Sequence, residues 1–92
     1  MNAEEGPKFP DSNRAGVEFL LVDLDTALIF MDVAATSEVQ ETVDRNHTNA
    51  HNAYNTVLHL LQNLKPDAEQ RSALDGKMNL LKARLEAVGH QF

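Results

Sequence analysis

Between Val17 and Phe92 the chain carries only two glycines, Gly76 and Gly89, and a single proline, Pro66. So long a stretch with so few breakers is expected to be helical, because strand-and-turn folds need turn residues at each reversal. Ahead of it, Gly6, Pro7, Pro10, Asp11, Ser12 and Asn13 crowd the start of the chain. Residues 1–12 therefore read as a flexible arm, with Phe9 able to tuck onto the domain, and residues 13–92 as one domain. A chain of 92 residues can hide roughly two-thirds of its surface on folding. Its 42% hydrophobic content is enough for one core.

Apolar residues at three- and four-residue spacing place three helices. The first covers about 13–35, with Val17, Leu20, Leu21, Leu24, Leu28, Met31 and Ala35 in its stripe. The second covers about 38–64, with Val39, Val43, Ala50, Tyr54, Val57, Leu61 and Leu64. Ser37 and Gln40 match a capping box at its start. The third covers about 67–88, with Leu74, Met78, Leu81, Leu85 and Val88. Pro66 suits its opening turn and Gly89 its stop. Gly76 weakens its middle by ~1 kcal/mol relative to alanine. The corner near Ala34-Ala35-Thr36-Ser37 has neither glycine nor proline, yet one unbroken helix of about fifty residues would span ~75 Å. The expected fold is an all-α three-helix bundle, with Leu24, Leu28, Val57, Leu61, Leu81 and Leu85 meeting in its core.

Composition narrows the function. The chain has 14 acidic and 8 basic residues, a formal charge of -6 and no cysteine. Phosphate backbones need clustered cations, so nucleic acid is not the expected partner. Disulfides, thiolate zinc sites, iron–sulfur clusters and cysteine nucleophiles are excluded. Asp23, Asp25 and Asp32 interrupt the longest apolar stretches before they reach the ~20 residues of a membrane span. The acidic start, Met1-Asn2-Ala3-Glu4-Glu5, lacks the basic region of a secretory signal. A cytoplasmic protein with no membrane partner is expected.

The first helix is the informative one. Val17, Leu20, Leu21, Leu24, Leu28 and Met31 fall on one side of it at about 100° per residue. Phe19, Val22, Ile29, Phe30 and Val33 fall on roughly the opposite side, with Glu18, Asp25 and Asp32 repeating every seven residues between them. Two readings follow. The amino-terminal arm and Phe92 could cover the second face, or Phe19, Val22, Ile29, Phe30 and Val33 could form a surface for a second copy or another helical protein. Residues through Asp44 sum to a charge of -8 and those from Arg45 onward to +2. The acidic first helix can thus lie beside Arg71, Lys77, Lys82 and Arg84 of the third, an arrangement that between chains favours an antiparallel dimer. Individually, such charges are ordinarily solvated and worth little.

Chemistry is sparse. Asp44, His47 and His51 share one side of the second helix and could give a divalent metal three ligands and an open position. The glutamate of the H-E-x-x-H motif is missing, since Thr48, Asn49 and Ala50 intervene, and no E-x-x-H pair of di-iron bundles occurs. Structural or surface histidines are the plainer reading. His51 and His59 also lack the H-x-x-K-G pattern of histidine phosphotransfer domains. No phosphate loop or nucleophile elbow is present.

The segment Asn49–Leu58 resembles the second helix of a tetratricopeptide unit, with Ala50, Tyr54 and Val57 at its packing positions. The single copy and the long second helix depart from that family, whose peptide groove needs stacked repeats. More loosely, the chain is similar to short bacterial helical bundles of unknown function, ending in a charged helix such as Ala68–Leu74. That resemblance implies a fold without an activity. A non-enzymatic interaction or self-association module with no cofactor is the expectation; the alternative is a metal- or ligand-binding bundle using Asp44, His47 and His51.

Overall fold

The computed structural model describes residues 12–92, which form three helices and no strand. They are α1 (Ser12–Thr36), α2 (Gln40–Leu61) and α3 (Ala68–Ala87). The expected arm and the docking of Phe9 lie outside the described residues, except that Ser12 already belongs to α1. The expected bundle is present, and its two corners and the end of α3 are set by local hydrogen bonds.

At the first corner two hydroxyls do the work that glycine or proline does elsewhere. The Thr36 hydroxyl donates to the Val33 carbonyl at 3.1 Å, taking up an acceptor that the ending helix leaves open. The Ser37 hydroxyl then accepts from the Val39 amide at 3.1 Å. Because Ser37 is used there, the expected Ser37–Gln40 capping box does not form. Val39 is the extended cap residue and lacks a side-chain cap, and Gln40 instead reaches forward to Asp44.

A capping box does start α3. The Asp67 carboxylate accepts from the Gln70 amide at 2.7 Å, and the Gln70 side chain accepts from the Asp67 amide at 3.0 Å. Pro66 thus precedes the cap rather than opening the helix. The α2 helix ends three residues earlier than its apolar stripe implies. Its last amides, on Gln62, Asn63 and Leu64, bond three residues back, which tightens the turn into 3₁₀ geometry. The side chain of Asn13 donates to the Lys65 carbonyl at 2.9 Å, tying this connection to the first turn of α1. Gly16 serves the same junction: a Cβ there would lie 2.9 Å from Leu64 Cδ2.

Gly89 stops α3 as expected. It sits at φ +97, and its amide bonds the Glu86 carbonyl while the His90 amide bonds the Leu85 carbonyl, both at 3.0 Å. That pair of bonds is a Schellman motif, whose left-handed residue is cheapest as glycine.

The core joins Val17, Leu20, Leu24, Ala27 and Met31 of α1 to Ala50, Val57 and Leu61 of α2 and to Leu74, Met78, Leu81 and Leu85 of α3. Leu28 packs against it half-buried. The outermost stripe residues, Ala35, Val39 and Val88, lie exposed at helix ends.

Two stability measurements test this packing by urea denaturation followed at 222 nm. Leu61→Ala should lose ~2–5 kcal/mol, whereas exposed His59→Ala should change stability by less than ~0.5 kcal/mol. Equal losses would mean that α2 turns a different face to the core. A Cβ on Gly76 would meet nothing within 4 Å, so Gly76→Ala should add ~1 kcal/mol and raise Tm by about 4–8 °C.

Candidate functional site

The outer face of α1 has no covering element among the described residues. Phe19, Val22, Ile29 and Val33 are 59%, 60%, 57% and 42% exposed. With exposed Thr26 between them, they step along the helix by three, four, three and four residues. That is the alternation of a coiled-coil seam, which keeps every member on one line of the helix. Other apolar side chains, such as Leu58 and Leu80, are also exposed, as is ordinary for a protein surface.

Phe30 does not belong with them. It is half-buried and packs against the core. One residue from buried Met31, it is turned by about 100° from Ile29 and so stands at the border of the seam rather than on it. Phe92 does not cover the seam either; it lies on α2.

The seam's other border is charged in a defined way. Lys77 Nζ lies 2.6 Å from Asp25 Oδ1, and Arg84 Nη2 lies 2.9 Å from Asp32 Oδ1. Both pairs join α1 to α3 with the same residue offset, so the seven-residue acidic repeat of α1 meets a seven-residue basic repeat on α3. Specific bridges therefore replace the solvated charges expected for these four residues. Being partly exposed, each contributes at most about 1 kcal/mol; what they fix is the register of two helices running in the same direction.

A second cluster sits on α2. The Schellman turn at Gly89 sends the chain back so that His90 Nδ1 lies 2.7 Å from His51 Nδ1. The His47 ring meets the edge of His90, with centroids 5.9 Å apart. Phe92 then lies over His51 at 4.4 Å and against the edge of Tyr54 at 4.9 Å. Lys82 Nζ stands 5.7 Å from the Phe92 ring centre, within cation–π range. Partial burial, and secondarily the neighbouring His90, push the His51 imidazole below its ordinary value.

The Asp44–His47–His51 grouping is not brought together as a ligand set. The exposed Asp44 carboxylate accepts from Gln40 Nε2 at 2.8 Å. Among the described residues, no three acidic or histidine side chains are placed to hold a metal ion. His90 is the partner that sequence reasoning missed. Gly89 signals only that the chain turns out of α3; that the turn brings His90 against α2 depends on how the helices pack.

Beside His47 an open apolar cleft of about 370 Å³ is floored by Met31, Ala34 and Val43 and edged by Arg84. No helix among the described residues is long and apolar enough to cross a membrane. No protein-family model, curated protein or solved structure matches this chain.

Proposed function

We propose that the chain is a non-enzymatic helical module that self-associates through the outer face of α1. The observation that carries this reading is the exposed line Phe19, Val22, Thr26, Ile29 and Val33 at alternating three- and four-residue steps. Apolar side chains on such a line gain from leaving water together, and a helix with the same spacing is the element that fits them. A second copy supplies that helix, and two identical faces close on each other about a two-fold axis.

Charge favours an antiparallel pair. In a parallel pair each Glu18 would face Asp23 of the other copy, acid against acid, relieved only by the exposed Arg14 that pairs with Glu18 at 3.4 Å. In an antiparallel pair the Asp25/Asp32 borders of the two copies meet. Each border then arrives with Lys77 and Arg84 already in place. One register sets Val22 against Val33 of the second copy and Thr26 against Ile29, over a seam of about 27 Å from Phe19 to Thr36.

Light scattering after gel filtration at micromolar concentration should give twice the 10.2 kDa chain mass. Val22→Asp and Ile29→Asp should each return the chain mass while keeping the helical circular dichroism of the parent. A wild-type mass of one chain at every concentration would refute self-association. A folded monomer whose α1 face instead bound a different helical protein would assign the seam to that partner.

A further inference from the structure

We infer that Gly89–Phe92 is an acid-released strap, docked on α2 at neutral pH through His51 and His90 and let go when both imidazoles are protonated. The two ring nitrogens face each other at 2.7 Å, so one must donate and the other accept. A neutral pair satisfies this, and a pair holding one extra proton still can. A doubly protonated pair cannot, because two donors and two like charges then stand at hydrogen-bond distance.

Among the described residues, no carboxylate pairs with either ring to offset that second charge; Asp44, one turn before His47 on the same side of α2, accepts from Gln40 instead. His47 and Tyr54 face the pair from α2, and Lys82 faces it from α3 beside Phe92. Arg84 of α3 lines the same cleft as His47 and is paired with Asp32. Among the described residues, no carboxylate is bonded to any of the three imidazoles. The side chains in ring contact with the strap are neutral or cationic, so the second proton adds repulsion.

The remaining hold on the strap is local and modest. Phe92 touches His51 and Tyr54 and is still 47% exposed. Gly89, at φ +97, is the turn at which the strap can swing; the swing gives up the His90 amide bond to the Leu85 carbonyl and leaves the bonds within α3 in place. The direction of the pH effect follows from linkage. The native His51 titrates below the ordinary imidazole value of about 6.5, whereas the released state titrates near it. Below about pH 6.5 the released state binds more protons, so docking is complete above that pH and weakens as pH falls. Release accompanies the second proton, because a pair holding one extra proton keeps its hydrogen bond and a doubly protonated pair cannot.

Tyr54 is the only tyrosine and the chain has no tryptophan, so its ring resonances report the Phe92 contact without interference. In the full chain between pH 8 and pH 5, the Tyr54 and Phe92 ring protons should lose their mutual ring-current shifts, with a midpoint below about 6.5. Helical circular dichroism should stay constant over the same range. Phe92→Ala should show the acid position of Tyr54 at pH 8 and no step on acidification. His90→Asn, which cannot acquire a charge, should abolish the step. Tyr54 resonances unchanged to pH 5 while His51 titrates would overturn the inference. So would the same step in Phe92→Ala, or a step that coincides with loss of helix.

Discussion

A helix of 25 residues that is apolar on two sides sets the terms for everything else in this molecule. Burying Val17, Leu20, Leu24, Ala27 and Met31 consumes the inner faces of both other helices. Three helices of this length can surround one buried line of side chains, and α2 and α3 do so from the same side of α1. The line through Phe19, Val22, Ile29 and Val33 is then left uncovered by the described helices, since neither α2 nor α3 has a face left to place over it. Full burial of such side chains contributes roughly 1.5–3 kcal/mol each. A surface that forgoes several of these is the clearest departure from economy in the fold.

The seam also has a definite lateral order. The Asp25–Lys77 and Asp32–Arg84 bridges make one border of α1 continuous with α3, while Phe30 ties the other border to the core. Neither contact is strong alone. Together they set the rotation of α1 that turns the same four side chains outward. A rolling helix would blur the two faces, whereas this one keeps them distinct.

Much of this could be read from residues alone, because periodicity carries burial directly. The α1, α2 and α3 stripes named the core through Leu24, Val57, Leu61, Leu81 and Leu85, and Gly89 named the end of α3. Misreadings arose where one side chain had two possible bonds. Ser37 and Gln40 have the spacing of a capping box, as Asp67 and Gln70 do, but the Ser37 hydroxyl bonds the amide two residues on and the box is lost. Phe30 was grouped with the outer face because helical angles alone do not say how far a large ring leans toward the core. The meeting of His51 with His90 spans thirty-nine residues and depends on a single left-handed turn. No local pattern encodes it.

The central claim is that the outer line of α1 is an interface between copies of this chain, and cross-linking tests it directly because no native cysteine interferes. Chains carrying Val22→Cys alone are mixed with chains carrying Val33→Cys alone under mild oxidation. Disulfides form only between side chains whose Cβ atoms approach to about 3.5–4.5 Å. The account predicts a covalent dimer in the mixture that contains one chain of each kind, with little dimer from either variant by itself. Abundant dimers of Val22→Cys with itself would show a parallel pair, and equal or absent cross-linking in all three samples would contradict the interface.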